Sequence, residues 1–148
     1  MDIYLFIFLL LAVAPISIFL HEAGHAAAGI LLKAEYTYLI IGRGKKIFDY
    51  SSGTIHFKLY AVYFMGGYAK SERKMPFKRV EIIIISFFGP LVNCLMFLLC
   101  WNLLAYYPNH YMELLALFNL WLAAINVVPF KWKNKKSDGY NILKAMLR

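Results

Sequence analysis

The sequence predicts an α-helical membrane protein with three transmembrane helices and a small membrane-associated β-sheet after the first helix. Hydrophobic residues make up 61% of the 148 residues, and the mean hydropathy of +0.59 is far above that of soluble chains. Three apolar stretches, at about 3–32, 80–106 and 111–130, are each long enough to cross a hydrocarbon core of roughly 30 Å. The length leaves room for one domain, which we assign to residues 1–148.

The first apolar stretch, 3–32, is predicted to be one long helix of the mature protein. At a rise of 1.5 Å per residue it reaches about 45 Å, so its end should project beyond the hydrocarbon core. A signal peptide has a basic amino-terminal region and ends at a cleavage site of small residues. This stretch has no basic residue and continues into a polar motif, so we keep it in the mature chain.

Residues 36–68 predict a small antiparallel sheet. The segment Tyr36–Ile41 is rich in β-formers and stops at Gly42-Arg-Gly44, while Thr54–Tyr60 alternates polar and apolar residues with period two. A turn signal, Ser51-Ser-Gly53, lies between them. Open sheet edges are not tolerated in lipid, so we expect the sheet at the interface or against the helices.

The basic residues are confined to two segments of the chain. Ten of the 16 Lys and Arg lie between Lys33 and Arg79, and the other six lie between Lys131 and Arg148. By the positive-inside rule, the 33–79 loop and the C-terminal segment 131–148 are cytoplasmic and the N-terminus is outside. The net charge of +8 is therefore a topology signal, aided by anionic lipid of the bilayer, and no nucleic-acid partner is expected. The predicted location is a bacterial cell membrane.

The motif His21-Glu-Ala-Gly-His25 lies in the first predicted helix and has the H-E-x-x-H pattern. Positions i and i+4 share one helix face, so both imidazoles can reach one Zn²⁺ at about 2.0–2.1 Å. Glu22, one position further round, can act as general base toward the attacking water and then protonate the leaving amine. Ionisable residues are costly inside a span and mark functional sites there. We therefore predict one zinc per chain, held by His21 and His25, with Glu22 catalytic.

A catalytic zinc usually has three protein ligands, and the motif supplies two. The remaining candidates along the sequence are Glu81, Glu113, His56, His110 and Asp138. We interpret His56 as a strand residue on the polar face of the sheet. From the residues alone, either Ser137 or Asp138 can cap a short terminal helix, so the third ligand stays open at this point.

Four short elements keep one order over nearly the whole chain. They are His21-Glu-Ala-Gly-His25, Gly66-Gly67-Tyr68, Phe88-Gly-Pro-Leu-Val-Asn93, and Asn126-Val-Val-Pro129 followed by Asp138-Gly139. Together they resemble the site-2 protease family of intramembrane zinc metalloproteases, peptidase family M50. One departure is the segment 130–137 between Pro129 and Asp138, which is longer than is usual in the family.

The resemblance implies a three-helix core with a membrane-associated sheet, and a hydrolase that cleaves another protein within or near its transmembrane segment. It implies that Asp138 is the third zinc ligand. It also implies that Asn93 lines the active site and helps to hold the substrate backbone or the oxyanion. We further expect Gly66 and Gly67 to bind the substrate, which is then a membrane protein or peptide. We expect no cofactor besides zinc.

Other functions are weighed against this one. A catalytically silent membrane binding or immunity protein would keep the fold without turnover, but the set of His21, Glu22, His25 and Asp138 is intact. A prenyl-protein protease typically has a second metal-binding motif on a later helix, which the later histidines do not provide. A di-iron oxidase needs more histidines than the four present.

The predicted sheet offers a way to bind a substrate. A transmembrane helix cannot be hydrolysed until its backbone is extended, and an extended backbone in a poorly hydrated site needs replacement hydrogen bonds. An exposed sheet edge supplies them by strand addition. We expect this edge in Thr54–Tyr60 or Tyr63–Tyr68; the alternative is that the sheet only fills the space beneath the helices.

The charge distribution yields a topology prediction. In a background without the native cysteines, a cysteine at Arg43 or Lys135 should be protected from an impermeant thiol reagent in intact cells. A cysteine at Asn109 should react, because the turn between the second and third spans is outside. Permeabilised cells provide the control, since all three positions should then react. Labelling of the Lys135 position in intact cells would reverse the orientation.

Overall fold

The computed structural model describes residues 2–133 and 135–147 and confirms the predicted class. Asn134 and Arg148, which belong to the predicted cytoplasmic C-terminal segment, lie outside the described residues. The elements are α1 (Ile3–Phe8), a π-helical turn (Leu9–Val13), α2 (Ala14–Leu31), β1 (Tyr36–Ser52), β2 (Ile55–Glu72), α3 (Arg79–Leu104), α4 (His110–Val127), β3 (Lys131–Trp132), β4 (Lys135–Lys136) and α5 (Asp138–Met146).

Three helices are long and apolar enough to cross a membrane. They cover Ile3–Leu31, Arg79–Leu104 and His110–Val127, so each predicted span is confirmed to within a few residues. The first is continuous, as expected, although α1 and α2 are joined through the π-helical turn. Large apolar side chains point outward from all three, for example Leu11, Leu98 and Trp121, each more than half exposed. Exposed apolar surface over three whole helices is unfavourable in water, whereas the hydrocarbon core of a bilayer can cover it.

The helices α2 and α3 approach closely at two glycines. A Cβ atom at Gly24 would lie 2.7 Å from the Phe88 carbonyl oxygen and 3.0 Å from Val92 Cγ2, so only glycine allows this backbone contact. The neighbouring Gly89 and Pro90 of α3 are buried. The helix α3 continues through Pro90 from Arg79 to Leu104.

The strands β1 and β2 form an antiparallel pair joined by a tight turn at Gly53, whose φ is +53°. The prediction that the first strand stops at Gly42-Arg-Gly44 is wrong. Gly42 and Gly44 adopt φ values of +83° and +90°, a region that glycine occupies at little cost. The strand bends there instead of ending and continues to Ser52.

Because of this bend, part of β1 pairs on both sides. Residues 37–41 pair with 67–71 on one side and with 55–59 on the other, and 55–59 pair in turn with the end of β1. Among the described residues, the 46–49 and 67–71 segments each pair on one side only, so they are the two edges. The sheet packs against α2, which confirms the expected contact with the helices.

The chain after α4 folds into a hairpin that the sequence did not predict. The long segment between Pro129 and Asp138 contains β3 and β4, which pair through Lys131 with Lys136 and Trp132 with Lys135. Next comes Ser137, the N-cap of α5, whose Oγ accepts a hydrogen bond from the Tyr140 amide at 3.1 Å. Of the two residues expected to cap this helix, Ser137 is therefore the one that does.

The contact at Gly24 yields a stability prediction. In an exposed helix, Gly→Ala stabilises by up to about 1 kcal/mol, but here the added methyl meets the Phe88 carbonyl. We expect Gly24→Ala to destabilise the protein by about 1–3 kcal/mol, as overpacking does. Thermal unfolding in detergent measures it. Ala27→Val, on an exposed position of the same helix, is the control and should change the melting temperature little.

Candidate metal centre

Two histidines of α2 stand one helical turn apart and turn their Nε2 atoms toward each other. His21 is 6% exposed and His25 is 8% exposed, and their Nε2 atoms are 3.2 Å apart. The spacing follows from helix geometry, since i and i+4 share a face. Gly89 of α3 lies against both rings: a Cβ there would be 3.0 Å from His21 Cε1. A larger residue would push the rings aside.

The carboxylate of Asp138 reaches the same point from the other end of the chain. Its Oδ2 is 3.0 Å from His21 Nε2, and its Oδ1 is 3.2 Å from His25 Nε2. These three residues can each offer one ligand atom, and those atoms lie within 4.8 Å of one another. The first residue of α5 is thereby brought beside the C-terminal half of the first span.

The Ser137 hydroxyl and Gly139 hold Asp138 in this place. Ser137 Oγ accepts from the amides of Phe130 and Tyr140, both within 3.1 Å, and lies 2.7 Å from the Val128 carbonyl, to which it can donate. A Cβ on Gly139 would lie 3.0 Å from the Val128 carbonyl carbon. The absence of a side chain at Gly139 therefore lets α5 begin directly against the end of α4.

The other nitrogens of the two rings face acceptors. His25 Nδ1 is 2.7 Å from the Ile85 carbonyl oxygen, which can only accept a hydrogen bond. His21 Nδ1 is 2.5 Å from Asn93 Oδ1. Both Nδ1 atoms therefore carry the proton of a neutral imidazole, which leaves both Nε2 atoms with bare lone pairs. Such outer hydrogen bonds are typical of metal-binding histidines.

This donor set fits a zinc ion. Two bare Nε2 atoms and an ionised carboxylate meet with no donor between them, so a cation is needed to hold them together. Ligand atoms at about 2.0–2.1 Å from a tetrahedral Zn²⁺ lie roughly 3.3 Å from one another. The separations between Nε2 and carboxylate oxygen atoms, 3.0 and 3.2 Å, are close to this value. A His₂Asp set leaves a fourth position for the reacting groups.

A proton is the other cation that can join these atoms. Burial acts to raise the pKa of Asp138, but hydrogen bonds from His21 and His25, once protonated on Nε2, outweigh it. The pKa of the Asp138 carboxyl therefore lies below its ordinary value. The carboxylate stays ionised at neutral pH, which is the form that binds a metal.

A cavity of about 700 Å³ opens onto these residues. The expected site residues His21, His25, Asp138, Glu22, Gly66 and Gly67 all line it. Glu22 packs against the sheet there: a Cβ on Gly67 would lie 2.7 Å from Glu22 Cγ. Of the two strand segments considered for substrate binding, the cavity takes its sheet wall from Met65–Ala69, and no residue of Thr54–Tyr60 is among the described lining residues.

Asn93 has a different place from the one expected. Its side chain is fully buried on the far side of His21, and it is not among the described residues that line the cavity. Asn126 of α4 does line the cavity. Sequence reasoning placed Asn126 in a motif but gave it no role, and it did not single out Asn119, a fully buried polar residue in a span. Both asparagines could have been found from the sequence, because polar residues inside a span are usually functional or paired with one another.

The other candidate ligands have partners elsewhere. His56 bonds to Ser51 Oγ at 3.0 Å and stacks on Tyr38 with ring centroids 4.9 Å apart. Glu81 pairs with Arg73 at 2.5 Å, and His110 and Glu113 pair with each other at 3.3 Å. Within residues 2–133 and 135–147, the set of His21, His25 and Asp138 is the only cluster suited to a metal ion.

Comparison with known proteins completes the description. A model of peptidase family M50 matches residues 6–109. The matched range includes the His21–His25 motif, Gly66, Gly67 and Asn93, and it ends before Asp138. No curated protein matches the chain. Since the family match spans more than half of the 148 residues, the chain belongs to peptidase family M50, the family of site-2 protease-like intramembrane metalloproteases.

Proposed function

We propose that this protein is a zinc-dependent endopeptidase that cleaves a membrane-protein substrate within or near its transmembrane segment. The observation that carries the proposal is the meeting of His21, His25 and Asp138 in a cavity that Glu22 also lines. The proposed ligands come from α2 and from α5, near the two ends of the chain. The site therefore needs the whole chain as a single domain. We place the cavity toward the cytoplasmic side, where the basic loops lie.

His21, His25 and Asp138 would hold one Zn²⁺ per chain. When bound, zinc supplies a Lewis acid that polarises the scissile carbonyl and lowers the pKa of water toward about 7. A carboxylate oxygen of Glu22 takes the proton of the attacking water and passes it to the amide nitrogen of the leaving chain. The Glu22 side chain is held over the cavity by its contact with Gly67. The catalytic role thus falls to Glu22, with Asn126 as the amide that faces the substrate.

The sheet edge supplies the hydrogen bonds that an unwound substrate needs. The edge segment that includes Gly67 and Ala69 lines the cavity. The Glu72 carbonyl accepts a hydrogen bond from the Glu35 amide at 2.8 Å and so points toward β1. Strand backbones alternate, which directs the N–H and C=O groups of Gly67 and Ala69 to the open side. An extended substrate can add there as a further strand, and Gly66 leaves room beside it, since no atom lies within 4 Å of a Cβ built on it.

Glu22→Gln separates catalysis from metal binding. The amide cannot accept the proton, so cleavage should be lost, whereas zinc content should stay at about one per chain. His21→Ala, His25→Ala and Asp138→Ala should each lose zinc as well as cleavage, because each removes a ligand. Elemental analysis measures zinc, and mass spectrometry of membrane proteins that accumulate in Glu22→Gln cells identifies the substrate.

The outcomes discriminate between the enzyme and a silent protein of the same fold. If wild-type and Glu22→Gln cells accumulate the same membrane proteins, the chain does not cleave them, as expected of a catalytically silent protein. If Glu22→Gln cleaves the substrate at the wild-type rate, Glu22 is not the general base. A wild-type protein free of zinc after purification in zinc-containing buffer contradicts the metal site itself.

Proline scanning tests strand addition. Proline at an outward-facing edge position other than Ala69, whose amide also hydrogen-bonds to Glu22, removes one N–H donor without breaking the ladder. We expect such variants of Met65–Ala69 to fold, bind zinc and cleave at least about tenfold more slowly, since one or more backbone hydrogen bonds to the substrate are lost. Matched prolines in residues 46–49, on the other edge, are the control. If folded, zinc-loaded variants of both edges cleave equally well, the sheet is scaffolding.

A further inference from the structure

We propose that Asn93 and Asn119 are positioning residues that fix the His21 imidazole as the tautomer that a metal ion requires. They form a relay whose direction is set by main-chain carbonyls of α2 and α4. The relay starts on α4, a helix that supplies none of the three proposed ligands. The inference rests on the proposed metal site, but its primary readout needs no metal.

The relay is buried inside the bundle. Ser17, Asn93 and Asn119 are each 0% exposed, and they belong to α2, α3 and α4 respectively. In a span no water reaches such groups, so every donor and acceptor must find its partner within the protein. The hydrogen bonds of the two amides to acceptor-only groups therefore decide which way each amide points, whereas the Ser17 hydroxyl can donate or accept and sets no direction.

The first step is the orientation of Asn119. Its Nδ2 lies 2.8 Å from the Leu115 carbonyl oxygen and 2.9 Å from Ser17 Oγ. A carbonyl can only accept, so the NH₂ group of Asn119 must face it. The Oδ1 atom of Asn119 then points the other way, and it lies 2.7 Å from Asn93 Nδ2.

The second step is the orientation of Asn93. Its Nδ2 faces two acceptors, Asn119 Oδ1 at 2.7 Å and the Ser17 carbonyl oxygen at 3.2 Å. Turning the amide over would place Asn93 Oδ1 against both of them, so that acceptor would face acceptor and neither Asn93 Oδ1 nor Asn119 Oδ1 would receive a donor. The Oδ1 atom is therefore fixed toward His21 Nδ1, 2.5 Å away.

The third step is the tautomer of His21. Because Asn93 Oδ1 can only accept, Nδ1 of His21 must carry the proton and Nε2 is left bare. That bare atom is the one that faces His25 and Asp138. Outer hydrogen bonds of this kind orient metal ligands, and their removal typically lowers metal affinity by about 10–100-fold.

Two kinds of variant separate the relay from ordinary packing. Asn119→Leu removes the nearer of the two acceptors that orient Asn93, at 2.7 Å against 3.2 Å for the Ser17 carbonyl, and keeps a similar volume. Ser17→Ala deletes a hydrogen bond of the same buried cluster but keeps the Leu115 and Ser17 carbonyls, which set the direction. Asn102→Leu, on the exposed face of α3 where its amide only bonds to the Leu98 carbonyl, is the matched surface control. Asn93→Leu removes the acceptor of His21 directly.

The tautomer is read from ¹⁵N chemical shifts of histidine-labelled protein without metal at alkaline pH, where imidazoles are neutral. His25, which bonds to the Ile85 carbonyl outside the relay, is the internal reference. Wild type, Ser17→Ala and Asn102→Leu should show His21 with its proton on Nδ1. Asn119→Leu and Asn93→Leu should show a mixture of tautomers at His21 alone. The dissociation constant for Zn²⁺, measured by chelator competition, should rise about 10–100-fold in these two and less than about twofold in the controls.

Two results would overturn the proposal. One is a folded Asn119→Leu protein in which His21 keeps the wild-type tautomer and zinc affinity. The other is a Ser17→Ala protein as impaired as Asn119→Leu, which would mean that the cluster acts by packing alone. If Asn93→Leu does not fold, the comparison of Asn119→Leu with Ser17→Ala decides. A wild-type protein that binds no zinc contradicts the proposed function. The tautomer comparison is made without metal, so it still tests the relay in that case.

Discussion

Two imidazole nitrogens and two carboxylate oxygens meet in this protein with no hydrogen-bond donor between them. Such a meeting is unfavourable unless a cation joins the atoms, and it persists only where the surrounding structure holds the side chains in place. Each histidine is held from behind by an acceptor, the Ile85 carbonyl or the Asn93 amide oxygen. The close approach of α2 and α3 at Gly24 and Gly89 puts those acceptors within reach. The positions of both histidines therefore depend on the two glycines that let α2 and α3 approach closely.

The parts outside the three spans complete the candidate site. The sheet reaches the cavity through the edge segment that contains Gly67, and the bend at Gly42 and Gly44 lets one strand serve in two pairings. The hairpin of β3 and β4 takes up the long connection after Pro129 and returns the chain so that α5 begins at the metal site. This explains how an insertion before Asp138 can leave the ligand in position, because the added residues pair with each other.

The three spans, the histidine pair and the presence of the sheet could be predicted from the sequence. Hydropathy decides the spans because lipid contact is a property of composition, and the i, i+4 spacing decides the histidine pair because helix geometry is fixed. The glycines at 42 and 44 predict the end of a strand, whereas the strand only bends there. A glycine in the sequence is typical both of a strand end and of a bend with positive φ, so the sequence does not distinguish the two. The place of Asn93 and the part played by Asn119 were not readable, because amide orientation depends on which carbonyls lie nearby in three dimensions. Family resemblance, not spacing, pointed to Asp138.

The order of the ligands along the chain has a consequence for biogenesis. His21 and His25 lie in the first of the three spans described, whereas Asp138 follows the last of them, so the two histidines are synthesised before Asp138. A partly synthesised chain therefore has Glu22 and two of the three proposed ligands, but not the Asp138 carboxylate that completes the proposed set. Insertion of α4 and docking of α5 come before a full ligand set exists. A chain that ends before α5 therefore lacks one of the three residues that meet at the candidate metal centre.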